Sequence, residues 1–211
     1  VKVEGINIMA EPGALLKDVA VVALEHHLTG MEFASGIPGS LGGAAVMNAG
    51  AYDGEMKNII KSVEVITDTG ELVILPVEQC KMGYRTSLVQ EKVWFITRVE
   101  LQLAAGNYES IKAKMDDLNG RRSEKQPLEY PSAGSTFRRP EGYFAGKLVQ
   151  DCGFKGYTVG GAQVSEKHSG FVINKDHATA SDIITLIETI QKKVKEDFGV
   201  DMRTEVIMIG E

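Results

Sequence analysis

The sequence has only two cysteines among 211 residues, no long basic run and no apolar stretch approaching the roughly 20 residues of a membrane-spanning helix. Cys80 and Cys152 are too few and too far apart for a disulfide framework or a cysteine metal site, so we predict a reducing, cytoplasmic location. The formal net charge of -6 excludes an overall attraction to nucleic acid or to an anionic membrane, and we expect neither as a partner. Any anionic ligand must therefore be bound by local groups.

Composition and periodicity predict two domains of mixed α and β structure. The chain is 43% hydrophobic and 25% charged, as in ordinary globular proteins. Apolar residues at helical spacing predict a helix over 15–24, and two β-type runs around Asp68-Thr69-Gly70 predict a hairpin. A polar helix over 107–125 follows a change in composition, so we place the boundary near Gly106, between domains 1–105 and 106–211.

Other segments carry more specific expectations. Alternation over 94–103 predicts a strand with one apolar face made of Val93, Phe95, Thr97, Val99, Leu101 and Leu103. The second half predicts a short helix over 144–151, two strands around Gly160-Gly161, a long amphipathic helix over 181–198 and a last strand over 204–209. Residues 1–8 predict two short strand pieces around a turn. The chain thus opens inside a sheet, which we interpret as a sign of truncation.

The densest motif is residues 36–52, Gly-Ile-Pro-Gly-Ser-Leu-Gly-Gly-Ala-Ala-Val-Met-Asn-Ala-Gly-Ala-Tyr. Glycines let a backbone turn tightly and approach a ligand, so the N–H groups of such a loop can face a pyrophosphate. The spacing matches neither the G-x-G-x-x-G fingerprint of dinucleotide-binding folds nor the G-x-x-x-x-G-K-[ST] phosphate loop. From these residues alone, a structural turn and a cofactor loop are equally open.

Four segments in this order resemble the UDP-N-acetylenolpyruvoylglucosamine reductases. They are the glycine-rich loop preceded by Ser35, then 83–87 (Gly-Tyr-Arg-Thr-Ser), 131–140 (Pro-Ser-Ala-Gly-Ser-Thr-Phe-Arg-Arg-Pro) and 205–210 (Glu-Val-Ile-Met-Ile-Gly). The loop alone recurs in other flavoproteins with this FAD domain, whereas the segment around Ser135, in this order with the others, is highly specific. The compact stretch between Arg85 and Tyr108 resembles the second type of the family, which lacks an extra tyrosine-bearing loop over the substrate.

The resemblance implies an α+β fold and an FAD cofactor. The first half would be the C-terminal half of an FAD-binding domain of the PCMH type, and the second half a mixed α/β substrate-binding domain. The implied cofactor-binding residues all lie in the loop: Gly36, Ile37, Pro38, Gly39, Ser40, Gly42, Gly43, Asn48, Ala49 and Gly50. The family's N-terminal flavin-binding part would be missing, which implies weak retention of FAD and self-association through the first half of the chain.

The implied reaction reduces the enolpyruvyl ether of a UDP-sugar: NADPH reduces FAD, hydride passes to C3 of the substrate and a proton passes to C2. Arg85 and Glu205 match the pair that stabilises the charge developing on C2 and the carboxylate, and Ser135 matches the proton donor. Considered without the resemblance, Arg85 is a surface arginine, Glu205 an edge-strand carboxylate and Ser135 a turn residue.

The candidate substrate contacts rest on weaker signals. Arg139 resembles a family position near the substrate phosphates, and Arg138 is an equally open alternative. Four more polar side chains are candidates for the substrate groove: Tyr84, Tyr130, Gln126 and Gln163. We interpret His168 as a loop histidine and not as a base. No group of residues has metal-ligand spacing, so no metal is expected.

Two other functions stay open at this point. Another flavoprotein with the same FAD domain, such as an oxidase of alcohols or amines, would share the glycine-rich loop but not Glu205 or the segment around Ser135. Alternatively, the chain is a flavin-free fragment that binds a UDP-sugar through its second half without catalysis. A visible spectrum separates these functions, because only a retained flavin colours the protein.

Overall fold

The structure, a computed structural model, describes residues 1–52 and 54–210. Its helices are α1 (Leu16–Glu25), α2 (Leu41–Val46), α3 (Leu88–Lys92), α4 (Tyr108–Lys125), α5 (Ala145–Asp151) and α6 (Ala180–Phe198). Its strands are β1 (Lys2–Glu4), β2 (Asn7–Ala10), β3 (Leu28–Thr29), β4 (Gly50–Ala51), β5 (Gly54–Glu55), β6 (Ile60–Ile66), β7 (Leu72–Pro76), β8 (Phe95–Gln102), β9 (Ala104–Ala105), β10 (Ser132–Ser135), β11 (Thr158–Val159), β12 (Ala162–Val164) and β13 (Phe171–Asn174).

The chain divides into two compact units, Val1–Arg122 and Ser123–Glu211. Most of α4 belongs to the first unit, because its apolar stripe of Ile111, Met115 and Leu118 is buried in that unit's core. The boundary that the sequence suggested near Gly106 therefore lies one helix before the division between the compact units.

An antiparallel sheet in the order β1-β2-β8-β6-β7 organises the first unit. β1 and β2 form the hairpin expected for the first residues, and β6 and β7 form the hairpin expected around Asp68-Thr69-Gly70. α1 and α2 share the core of this unit, in which Val19, Leu41 and Leu101 are completely buried. This hydrophobic packing supports the loop that contains the glycine-rich motif.

The apolar face predicted for β8 is wrong at the N-terminal end of the strand. Val99 is buried as expected, but Phe95 is 71% exposed, and Ile96 packs against the core instead. Val93, which is 76% exposed, lies before β8 at the end of α3. The register between β6 and β8 shifts at Thr97, which is an extra residue on β8. A single extra residue reverses the facing of the side chains beyond it, because side chains alternate along a strand.

A second antiparallel sheet, in the order β10-β13-β12-β11, forms the second unit together with α6. α6 begins at a capping box, in which the Thr179 hydroxyl accepts a hydrogen bond from the Asp182 N–H and the Asp182 carboxylate accepts one from the Thr179 N–H. The helix contributes four buried side chains to the core: Leu186, Ile187, Ile190 and Val194. The long amphipathic helix expected from the sequence is therefore confirmed.

The prediction of a last strand over 204–209 is wrong beyond its first residue. Thr204 forms an isolated antiparallel bridge with Phe137. Residues 206–210 lie outside the sheet, and Ile207 and Ile209 are 75% and 94% exposed. The neighbouring edge strand β10 has an irregular register, so it does not offer the continuous ladder that a longer strand would need.

Candidate active site

The glycine-rich loop leads into α2, whose first N–H groups are used within the protein. The Ser40 hydroxyl caps the helix and accepts a hydrogen bond from the Gly43 N–H at 3.2 Å. Leu41 and Gly42 donate to main-chain carbonyls of the segment before α1, at 2.8 and 2.9 Å. A Cβ at position 42 would lie 2.5 Å from the Cβ of Pro12, so packing requires a glycine there. A phosphate would therefore have to bind other groups of the loop.

Pro38 and Gly39 form an exposed tip of the loop. Gly39 has a φ of 130°, and no heavy atom lies within 4 Å of the Cβ position that it lacks. The main chain here is open to close approach by a planar or anionic group, and an added side chain would fill that space. These residues fit a cofactor that is bound through main-chain contacts.

The far end of the loop is held from within by Asn48, whose side chain is completely buried. Its Nδ2 donates to Glu55 Oε2 at 2.8 Å and to the Gly83 carbonyl at 2.9 Å. Its Oδ1 accepts a hydrogen bond from the Lys57 N–H at 2.8 Å. Ala49 is buried as well. The side chain of Asn48 thus fastens the loop to two other segments.

Arg85 lies beside this end of the loop. Its Nη2 donates to the Gly50 carbonyl at 2.9 Å, and its Nη1 lies 3.5 Å from the Asn48 carbonyl oxygen. The guanidinium also lies 5.0 Å from the centre of the Tyr84 ring, in cation–π contact. Arg85 has a left-handed φ of 56°, a conformation that persists where surrounding contacts determine it. The structure therefore brings together four of the residues singled out from the sequence: Arg85, Tyr84, Asn48 and Gly50.

Ser135 is exposed at the end of β10 in the second unit. The next residue, Thr136, is buried, and its hydroxyl accepts a hydrogen bond from the Val172 N–H at 3.0 Å. The Thr136 carbonyl accepts a hydrogen bond from the Glu205 N–H at 2.9 Å. Because Glu205 pairs with the residue next to Ser135, the structure brings these two candidate catalytic residues to neighbouring positions on adjacent segments.

The two arginines after Ser135 have different surroundings. Arg139 is exposed, its guanidinium lies 4.1 Å from the centre of the Phe144 ring, and its Nε donates to the Tyr143 carbonyl at 3.3 Å. Arg138 is half-buried, and its main-chain N–H donates to the Arg203 carbonyl. Sequence reasoning missed the contact of Phe144 with Arg139, although an aromatic pair at the start of a predicted helix was a visible signal.

A cavity of about 590 Å³ lies next to this segment, between β10, the first half of α6 and residues 206–210. Ser132, Ala133, Thr136 and Asn174 line it together with apolar side chains of α6. Its wall is thus formed by the strand that carries Ser135.

Two known domain families match the chain. The FAD binding domain matches residues 1–76, and the C-terminal domain of UDP-N-acetylenolpyruvoylglucosamine reductase matches residues 126–209. The UDP-N-acetylenolpyruvoylglucosamine reductase of Caldanaerobacter subterraneus subsp. tengcongensis is 59% identical over 209 residues, which are 99% of this chain and 69% of that protein. The chain belongs to this reductase family.

Two further members agree with this assignment. The reductase of Geobacillus kaustophilus is 57% identical over 208 residues, or 99% of this chain and 68% of the relative. The crystal structure of the UDP-N-acetylenolpyruvylglucosamine reductase from Thermus caldophilus is similar with a TM-score of 0.83 and 32% identity, covering 96% of this chain and 73% of that one. The predicted α+β fold is confirmed. As a member of this family with a matching FAD binding domain, the chain is an FAD-dependent oxidoreductase.

Two further candidate contacts of the reductase are tied to neighbouring groups. The Tyr130 hydroxyl is hydrogen-bonded to the Lys175 ammonium, which also lies 4.0 Å from the centre of the Tyr130 ring. Gln163 Nε2 donates to the Gly156 carbonyl at 3.2 Å and to the Thr158 hydroxyl at 3.3 Å. The Gln163 side chain thus stabilises the turn around β11.

His168 orders a loop of the reductase, in agreement with its interpretation from the sequence. Its Nδ1 accepts a hydrogen bond from the Gly170 N–H at 3.0 Å, and its ring packs edge-to-face on Phe171 at 5.0 Å. An Nδ1 that accepts cannot carry a proton, so the neutral ring is protonated on Nε2. Burial lowers the pKa of His168 below its usual value.

Neither a membrane span nor a metal site is found in the described part of the reductase. None of its helices combines the length and the apolar character needed to cross a bilayer. Over residues 1–52 and 54–210, no three or more His, Cys, Asp or Glu side chains are grouped to hold a metal ion. Cys80 and Cys152 are free thiols, and burial raises the pKa of Cys80 to about 11.

Proposed function

We propose that the chain catalyses the NADPH-dependent reduction of UDP-N-acetylglucosamine enolpyruvate to UDP-N-acetylmuramate, a cytoplasmic step of peptidoglycan precursor synthesis. The observation that carries this proposal is the pairing of Glu205 with Thr136, which places Glu205 next to Ser135 within the C-terminal domain that matches the reductases. The names of the relatives support the substrate, and the two free cysteines match a reducing compartment.

The exposed loop tip is the part of the chain best suited to hold FAD. When bound, FAD supplies the chemistry of hydride transfer, from NADPH to C3 of the substrate. Pro38 and Gly39 would contact it through main-chain atoms, because no side chain covers that surface. Asn48 and Ala49 would support the loop from its buried side, and their side chains would not contact FAD.

Arg85 binds the substrate carboxylate in this proposal. Hydride addition at C3 pushes negative charge onto C2 and onto the carboxylate, so a fixed cation at that point stabilises the transition state. The guanidinium is permanently charged and presents its donors in one plane, a geometry that matches a carboxylate. Its contacts with the loop orient it before the substrate arrives.

Ser135 and Glu205 complete the addition of hydrogen across the double bond. The Ser135 hydroxyl gives its proton to C2 as the new bond to hydrogen forms there, and the serine regains a proton from solvent. The carboxyl group of Glu205 is assigned to the charge that develops beside C2, which it would stabilise by donating a hydrogen bond. The main-chain pairing of Glu205 with Thr136, the residue after Ser135, supports this division of roles.

Arg139 is our candidate for the substrate phosphates, in preference to Arg138. Arg139 is exposed and stacked on Phe144, so its planar cation is oriented for an oxyanion, whereas Arg138 is half-buried. Tyr84, Tyr130 and the carbonyl of Gln163 are proposed as further polar contacts to the UDP-sugar.

We also propose that the first unit self-associates. Its edge strand β1 offers main-chain groups for pairing, and Val1 and Ile6 beside it are 60% and 42% exposed. Sedimentation over a range of concentrations measures this association, and a monomer at all concentrations would contradict it.

Anaerobic spectroscopy tests the proposed function. The chain is loaded with FAD, and the flavin absorption band is followed on addition of NADPH and then of UDP-N-acetylglucosamine enolpyruvate. We expect NADPH to bleach the band and the substrate to restore it. A band that NADPH bleaches but the substrate does not restore would indicate another oxidoreductase of the same fold, and a colourless chain that binds the UDP-sugar would indicate a ligand-binding fragment.

A further inference from the structure

The contacts around Arg85 form a closed ring through Asn48. The Asn48 amide holds the carbonyl of Gly83, two residues before Arg85, at 2.9 Å. Arg85 in turn directs its guanidinium to the carbonyls of Gly50 and of Asn48 itself. Asn48 therefore contacts both the turn that carries Arg85 and the Arg85 side chain.

The turn that carries Arg85 is tight and depends on this support. Gly83 and Thr86 pair with each other, with the Gly83 N–H donating to the Thr86 carbonyl at 3.0 Å. Arg85 inside the turn adopts a left-handed φ of 56°, which costs a non-glycine residue conformational energy. The buried Ser87 hydroxyl donates to the Val46 carbonyl and fixes the other side of the turn. External contacts therefore hold a conformation that the turn sequence alone does not favour.

Glu55 contributes a carboxylate to this group. Its carboxylate accepts a hydrogen bond from Asn48 Nδ2 at 2.8 Å and forms an ion pair with Lys57 at 2.7 Å. The hydrogen bond from Lys57, the hydrogen bond from Asn48 and the positive charge of Arg85 all lower the pKa of Glu55. Glu55 is therefore ionised at neutral pH, and its charge acts on Arg85.

We propose that Glu55 and Asn48 are positioning residues for Arg85. Asn48 fixes the turn and receives the guanidinium on its carbonyl, while the Glu55 carboxylate orients the Asn48 amide and balances the charge of the arginine. The functional part of this inference rests on the proposed role of Arg85 toward the substrate carboxylate. The positioning itself is a property of the chain and is measurable without substrate.

The test is the substitution Glu55→Gln, which keeps a hydrogen-bond acceptor for Asn48 but removes the charge. Glu100→Gln is the matched control, because Glu100 has a lysine partner, Lys61, at 2.8 Å and a second donor, Ser62, at 3.0 Å on the same sheet unit. The lysine hydrogen bond is also the main cause of its lowered pKa. Both variants lose an ion pair with lysine, and only Glu55→Gln alters the surroundings of Arg85.

The first readout is nitrogen-15 NMR of the Arg85 guanidinium in the isolated chain. We expect resolved N–H signals in the wild type and in Glu100→Gln, and signals broadened by motion in Glu55→Gln. The second readout is steady-state kinetics of the FAD-loaded protein, in which Glu55→Gln lowers kcat by about tenfold while the KM for NADPH is unchanged, because a misplaced group costs transition-state stabilisation. In an Arg85→Gln background, Glu55→Gln has no further effect on kcat.

Guanidinium signals of Glu55→Gln that match those of Glu100→Gln would overturn the positioning inference, as would an equal kcat in the two variants. A loss of kcat that persists in the Arg85→Gln background would also overturn it, because the effect would then not act through Arg85. If Arg85→Gln alone retains full activity, the proposed role of Arg85 fails, while the NMR comparison still decides whether Glu55 positions it.

Discussion

Arg85 in the first unit and Ser135 in the second are positioned by different kinds of contact. The Arg85 side chain is directed by carbonyls of the glycine-rich loop and by buried Asn48, so its head group is fixed. Ser135 has an exposed side chain, and what is fixed is the neighbouring main chain through Thr136. The difference suits the two tasks that we propose: a cation that stabilises charge must be rigid, whereas a hydroxyl that gives up a proton must be able to rotate.

The largest expected effect is that of Ser135→Ala. Because only the hydroxyl is lost, the reaction of the loaded protein with NADPH is nearly unchanged, while the reaction with substrate slows by about 10²–10⁴-fold. Stopped-flow absorption measures the two half-reactions separately. Ser132→Ala on the same strand is the control and leaves both rates as in the wild type, and an unchanged reaction of Ser135→Ala with substrate would remove Ser135 from the mechanism.

Substitutions of Glu205 test whether this residue, like Arg85, stabilises the developing charge. We expect Glu205→Gln to lose less activity than Glu205→Ala, since an amide can still donate a hydrogen bond worth about 0.5–1.5 kcal/mol to the developing charge. The ratio of kcat values of the two variants is the measurement. Equal rates would mean that the carboxyl group of Glu205 acts only in packing.

Thr136→Val tests whether the main chain at Ser135 is held as described. The buried Val172 N–H loses its acceptor, so the free energy of unfolding falls by about 1–3 kcal/mol. Chemical denaturation of the second unit measures the change, with Thr136→Ser as a control that keeps the hydroxyl. If the valine variant is as stable as the wild type, the hydrogen bond does not support this segment.

Most helices and strands could be predicted from the sequence, but only part of the candidate site could. The helix over 181–198 and both hairpins follow from local periodicity and turn residues, so they were predictable. The reversal of facing at Thr97 was not, because an extra residue in a strand is visible only against its partner strand. The motif residues around Arg85 could be identified from the sequence. The role proposed for Glu55 could not, because it depends on a contact with Asn48 that no sequence spacing predicts.

The smallest expected effect concerns the pH dependence of stability through His168. Burial lowers its pKa in the folded state below the unfolded value of about 6.5, so the folded protein binds this proton less readily than the unfolded chain. The stability is therefore fully present above about pH 6.5 and declines as the pH falls from there toward the lower folded pKa. His168→Gln should reduce that decline in denaturation midpoints, whereas the fully exposed His177→Gln should not.

The identity of the product tests the central claim most directly. The FAD-loaded chain is incubated with NADPH and UDP-N-acetylglucosamine enolpyruvate in heavy water, and the product is analysed by mass spectrometry and NMR. Our account predicts UDP-N-acetylmuramate with deuterium at C2, formed much more slowly by Ser135→Ala. Consumption of NADPH while the enolpyruvyl substrate is recovered unchanged would contradict the proposed function.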